Sequence, residues 1–79
     1  MKIEYRGINE DEKRYHREAW ITYDDTKKIA IEKADKICSM LQACGWSPAH
    51  EYGLIVIRVC DKEDYKELVE VYKKIKKEV

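Results

Sequence analysis

The side chains capable of chemistry are scattered along this chain and form no known catalytic motif. Ser47, His50 and Glu51 fall within one short segment, where a contact between the serine and the histidine is conceivable. That segment supplies no pair of donors for an oxyanion, and three isolated glycines cannot form a loop that cradles phosphate. We therefore expect no enzyme activity, no catalytic residue and no cofactor.

Metal binding would have to use the three cysteines, Cys38, Cys44 and Cys60, together with His50. Structural zinc sites favour close cysteine pairs, and the spacing of Cys38 and Cys44 along one predicted helix gives poor geometry for such a pair. Cysteines that serve as small buried apolar residues explain all three positions more simply. We expect no metal site, and an odd number of cysteines indicates a reducing, cytoplasmic location.

Size and charge limit the remaining classes of function. The chain has 79 residues, with 16 basic and 16 acidic side chains that cancel to a net charge of zero. We expect one small globular domain over 1–79, whose modest core would benefit from self-association. The longest apolar run, Leu54–Ile57, is far too short to span a membrane. Charge alone does not indicate nucleic acid as a partner.

Three segments have the patterns of β-strands. Lys2–Arg6 and Arg14–Tyr23 alternate between apolar and polar residues, and we expect the segment Gly7–Glu12 between them to form a hairpin loop. In the segment 53–59, apolar residues occupy both odd-numbered and even-numbered positions, which predicts a strand buried on both faces.

Two segments have the spacing of amphipathic helices. The first is predicted to begin at Asp24 or Asp25 and to run to about Cys44, where Gly45 ends it. The second is predicted over about 62–78, with Asp61 as its N-cap. The stretch between the first helix and the last strand, 46–52, is predicted to be a loop. The predicted buried residues are Ala30, Ala34, Ile37, Leu41 and Cys44 of the first helix and Tyr65, Leu68, Val69, Tyr72 and Ile75 of the second.

The resulting order, β-β-α-β-α, predicts an α+β fold. We expect a two-layer sandwich in which a three-stranded mixed sheet is covered on one face by both helices. The first helix would carry a right-handed crossover to the third strand. Strand orders 2-1-3 and 1-2-3 are both compatible with this pattern.

If both helices cover one face of the sheet, the other face carries Trp20 with apolar and basic neighbours. A large aromatic anchor within a polar rim is typical of a protein-binding surface. We expect a small protein-binding module, an adaptor or an inhibitor of the kind that mobile elements encode, which also self-associates as a homodimer. The residues predicted to bind the partner are Trp20, Leu54, Val56, Arg58 and Arg6.

Nucleic acid is the alternative partner. Single-strand binders combine basic grooves with aromatic platforms. The last predicted helix ends in a lysine-rich segment, and the sheet face opposite the helices offers Trp20, Arg6 and Arg58. Glutamates interleave with these lysines, however, and cations near a helix C-terminus are expected from the helix dipole alone. The residues of this alternative site are Lys73, Lys74, Lys76, Lys77 and Arg58.

Overall fold

The computed structural model describes residues 1–6 and 17–79. The predicted loop Gly7–Glu12 and the first residues of the predicted second strand, 14–16, lie outside the described residues. Along the chain the elements are β1 (Lys2–Arg6), β2 (Arg17–Thr22), α1 (Lys28–Ala43), β3 (Pro48–Glu51), β4 (Leu54–Val59) and α2 (Lys62–Glu78).

The four strands form one sheet in the order β1-β2-β4-β3, and every neighbouring pair is antiparallel. The fold is α+β, as predicted, but the prediction of a three-stranded mixed sheet is wrong. The segment predicted as a loop contains β3, an edge strand that begins at Pro48, where proline is tolerated. The turn into β4 contains Gly53 with φ +74°. This additional hairpin reverses the chain, so β4 lies antiparallel to β2.

The order of the elements along the chain consists of one unit that occurs twice. A hairpin followed by a helix, β1-β2-α1, is succeeded by a second hairpin and helix, β3-β4-α2. The two hairpins meet along β2 and β4, which leaves β1 and β3 at the edges.

The core lies between one face of the sheet and both helices. Strands β2 and β4 bury alternate side chains on this face, and each helix buries one stripe of residues spaced by three and four. The buried residues are Ala19, Ile21, Ile55, Ile57, Val59, Ala34, Ile37, Cys38, Leu41, Leu68, Tyr72 and Ile75. The prediction that this strand is buried on both faces is therefore wrong for β4, since on the face opposite the core Leu54 and Val56 are half-buried and Arg58 is exposed.

Helix α1 begins later than the sequence pattern predicts. The Asp24 carboxylate accepts hydrogen bonds from the backbone N–H and the hydroxyl of Thr26, at 3.0 and 2.6 Å. These bonds lower the pKa of Asp24 and stabilise a turn that precedes the helix. The helix instead starts after Lys27, whose side chain makes no capping hydrogen bond.

The other helix ends agree with the sequence pattern. Gly45 has φ +92°, and Trp46 donates a backbone hydrogen bond of 3.0 Å to the Leu41 carbonyl, which closes the last turn of α1. At the start of α2, Asp61 accepts from the Asp64 N–H at 2.8 Å. The Asp64 carboxylate in turn accepts from the Cys60 N–H at 2.8 Å, so two donors at this helix start are satisfied.

Candidate functional site

The strand register defines the sheet face opposite the helices, which we call the open face. Residues directly across an antiparallel ladder point to the same side, and alternate residues share a face. The open face therefore comprises Lys2, Glu4, Arg6, Glu18, Trp20, Thr22, Ala49, Glu51, Leu54, Val56 and Arg58.

Trp20 lies at the centre of the open face. Its register partners are Glu4 on β1 and Val56 on β4, and the next residue in the same row is Ala49 on β3. The indole is half-buried even though neither helix packs on this side. A large aromatic group thus lies at the centre of the open face, between the apolar Val56 and the charged Glu4.

The Arg6 guanidinium holds a defined position over this indole. Its central carbon is 4.4 Å from the centroid of the Trp20 ring, within the range of a cation–π contact. The Arg6 Nη2 atom also donates to the Glu4 carboxylate at 3.1 Å. Two contacts therefore fix the position of the guanidinium.

The indole N–H of Trp20 is enclosed and has no acceptor among the described residues. A buried donor without a partner costs about 1–3 kcal/mol relative to one that is hydrogen-bonded.

A row of charges flanks the indole. In the register, Glu18 lies directly between Arg6 on β1 and Arg58 on β4. Among the described residues, Arg58 makes no ion pair within 4.0 Å, and its side chain is exposed.

The structure brings together all five residues predicted to bind a protein partner. Trp20 and Val56 are direct neighbours across the β2–β4 ladder, and Leu54 lies two residues from Val56 along β4. Arg6 and Arg58 occupy the charged row beside them. Ala49 and Glu51 were not predicted to lie on this face, because the segment that contains β3 was predicted to be a loop.

The residues of the nucleic-acid alternative are not brought together. The four lysines are exposed on α2, which packs on the core side of the sheet, whereas Arg58 points to the open face. Lys73 lies 3.8 Å from the Glu70 carboxylate, and the Lys76 ammonium lies 5.9 Å from the centroid of the Tyr72 ring. The lysines thus form a helical surface interleaved with acids and separated from Trp20 by the sheet.

A second polar cluster was not expected from the sequence, which placed His50 in the predicted loop 46–52. His50 belongs to β3, and its Nδ1 atom lies 3.1 Å from the Asp35 carboxylate of α1. Its Nε2 atom is hydrogen-bonded to the Tyr23 hydroxyl. That hydroxyl also donates to the Glu51 carbonyl at 3.1 Å.

The cysteines occupy different environments. Cys38 is buried in the core, as predicted, but Cys44 and Cys60 are exposed, so the interpretation of all three as buried apolar residues is wrong. The part of the chain that the structure describes contains no group of three or more histidine, cysteine or acidic side chains placed to hold a metal ion. Within the same residues, neither helix has the length and apolar character needed to cross a membrane.

Comparisons with protein-family models, with curated proteins and with solved structures find no match to this chain.

Proposed function

We propose that this chain is a small protein-binding module whose open face docks a second copy of the same chain. The observation that carries the proposal is the position of Trp20, a half-buried indole at the centre of a sheet face that neither helix covers. Tryptophan and arginine are the residue types most enriched at the energetic centres of protein interfaces.

The charges of the open face support a second copy as the partner. The described residues of this face include three basic and three acidic side chains, Lys2, Arg6, Arg58, Glu4, Glu18 and Glu51. A face with equal numbers of both signs is able to pair with itself, as a two-fold symmetric interface requires. A strongly acidic or strongly basic partner would gain little from such a surface.

The dimensions of the sheet limit the area of an interface that the open face could form. Four strands about 4.8 Å apart, with about five residues each at about 3.3 Å per residue, give roughly 300 Å² of flat area. Standard interfaces bury about 800 Å² per partner. We therefore expect a weak dimer, with a dissociation constant on the order of micromolar or higher.

This function requires no chemistry from the protein, which suits the role of a non-enzymatic adaptor or inhibitor. The three free cysteines, two of them exposed, suit a reducing compartment, and we place the module in the cytoplasm.

Trp20→Ala should weaken self-association at least about fivefold, because truncating a central aromatic residue of an interface typically costs more than about 1 kcal/mol of binding energy. Sedimentation equilibrium over a wide range of protein concentrations measures the effect. Tyr52→Ala is the matched control, since Tyr52 is an aromatic residue in the β3–β4 turn that is 93% exposed and lies off the open face. Circular dichroism of both variants checks that the fold is retained.

Two results would overturn the proposal. A wild-type chain that stays monomeric at millimolar concentration has no self-docking face. A dimer that Trp20→Ala leaves unchanged, in a folded variant, uses another surface.

The nucleic-acid alternative draws on the four exposed lysines of α2 and predicts a different response. Binding of a labelled single-stranded oligonucleotide would fall steeply with salt. It would also fall in the double variant Lys73→Ala, Lys74→Ala, while Trp20→Ala would leave binding through the helix surface intact.

A further inference from the structure

A cavity lies between the residues that follow β2, the first turns of α1 and the last turn of α2. Its volume is about 310 Å³, at the small end of the range of about 300–1,000 Å³ that is typical of small-molecule pockets. None of the described residues that line it belongs to the open face. The cavity is therefore a separate candidate site on the helix side of the sheet.

The cavity gathers apolar surface that the core leaves uncovered. Ile37, which is buried in the core, and Ala30 form part of its lining. Ile29 and Met1 also line it, and they are 64% and 38% exposed. These are two of the three large apolar side chains that are exposed among the described residues. Exposed apolar groups that meet at one concave site favour a ligand with a hydrocarbon part.

Three lysines from three parts of the chain line the same cavity. Lys27 precedes α1, Lys33 lies on α1, and Lys76 is in the last turn of α2. Among the described residues, none of these lysines makes an ion pair within 4.0 Å. Asp24 is the one acidic residue of the described lining, and its carboxylate already accepts two hydrogen bonds from Thr26. Three cations against one anion leave an excess of positive charge, which favours an anionic ligand.

The volume of the cavity limits the size of that ligand. One water takes about 30 Å³ in the liquid, so a cavity of about 310 Å³ holds about ten non-hydrogen atoms. Octanoate, a carboxylate on a straight hydrocarbon chain, has about this size. A membrane lipid with two acyl chains is several times too large for the cavity.

We propose that this cavity binds a small soluble amphiphilic anion, a carboxylate on a hydrocarbon chain of medium length. The chain of the ligand contacts the apolar lining at Ile29 and Ala30, and the carboxylate pairs with Lys33 and Lys76. So small a ligand makes few contacts, and we expect a dissociation constant on the order of millimolar. This inference is independent of self-association through the open face.

Titration of the full chain with sodium octanoate, followed by NMR of the backbone amides, tests the proposal. We expect saturable shifts at Ile29, Ala30 and Lys33. Acetate has the carboxylate without the long chain and should bind at least about tenfold more weakly, because it buries less apolar surface. Octylammonium has the chain with the opposite charge and should bind at least about fivefold more weakly, because the lysines repel it.

The double variant Lys33→Gln, Lys76→Gln should weaken octanoate binding at least about fivefold, because it removes both cations that pair with the carboxylate. Lys62→Gln is the matched control, since Lys62 is an exposed lysine at the opposite end of α2 and does not line the cavity. Ile29→Ala should weaken binding about threefold or more through lost apolar contact. Trp20→Ala should leave octanoate binding unchanged, which separates this site from the open face.

Three results would refute an anion site in this cavity. The first is octylammonium binding as tightly as octanoate, because the lysines would then not select the ligand. The second is the absence of saturable shifts in the cavity at tens of millimolar octanoate. The third is unchanged octanoate affinity in the folded double variant. If the double variant does not fold, Lys33→Gln and Lys76→Gln measured singly carry the same comparison.

Discussion

At the scale of single residues, Cys38 is the thiol whose surroundings change its chemistry. It is buried on α1 between the sheet and α2, whereas Cys44 and Cys60 are exposed. Burial raises the pKa of the Cys38 thiol, and the neighbouring Asp35 carboxylate raises it further. Less thiolate is then present at any given pH, and access to the sulfur is restricted.

We predict that Cys38 reacts with a disulfide reagent at pH 8 about tenfold or more slowly than Cys44 and Cys60. The time course of native labelling should show two fast thiols and one slow thiol. Cys38→Ala should abolish the slow phase alone, and urea should make all the thiols fast. Three equally fast thiols in the native protein would show that Cys38 is not enclosed.

The face on which a strand residue lies could be predicted from the sequence, but the partners of His50 could not. Successive side chains of a strand point to opposite faces of the sheet. The positions of Trp20, Val56 and Arg58 along their strands therefore already predict that they share one face. His50 contacts Tyr23 and Asp35, which are distant in sequence and reach it only through the packing of α1 against β3.

At the scale of elements, the two helices begin in opposite ways. Helix α2 has Asp61 as its N-cap and two acids in its first turn, whereas α1 has an uncapped start at Lys27 and no acid in its first turn. The backbone of Lys27, with φ −102° and ψ 117°, already has the extended geometry of a capping residue.

Lys27→Asp should therefore stabilise the protein by about 1 kcal/mol, by supplying an acceptor for a free N–H group and a negative charge near the helix start. Urea unfolding measures the change. Lys27→Ala is the matched control, because it removes the positive charge without adding an acceptor. Equal stability of the Asp and Ala variants would show that the first turn of α1 gains nothing from a cap.

Helix ends with a strong local signal were predicted correctly, and the edge strand was not. Gly45 ends α1 and Asp61 starts α2 because a positive φ and a capping carboxylate act within a few residues. Pro48–Glu51 has no apolar alternation, and its strand conformation depends on pairing with β4. Propensity and periodicity carry no information about such pairing.

At the scale of the whole molecule, β3 determines two features that the sequence did not predict. The hairpin that it forms makes β4 antiparallel to β2, and its side chains widen the open face by one strand. The α+β class and the helix-covered side of the sheet could still be predicted, because they follow from the apolar stripes. The additional strand contributes Glu51, the third acid that balances the three basic side chains of the open face. The proposal that this face docks a second copy depends on that balance.

Reversing the charge of one residue on the open face tests whether self-association depends on equal numbers of basic and acidic side chains there. Arg58→Glu changes the described charges of the open face from three basic and three acidic to two basic and four acidic, and Glu18→Arg changes them to four basic and two acidic. Each variant alone should then dimerise more weakly than the wild type, since like charges oppose each other across the interface.

The most direct measurement is sedimentation equilibrium of these two variants, separately and as an equimolar mixture, at low salt. We expect the mixture to form a heterodimer at least about tenfold tighter than the dimer that either variant forms with itself, because the excess charges on the two faces are then opposite. A mixture that associates no better than its separate components would contradict self-docking through the open face.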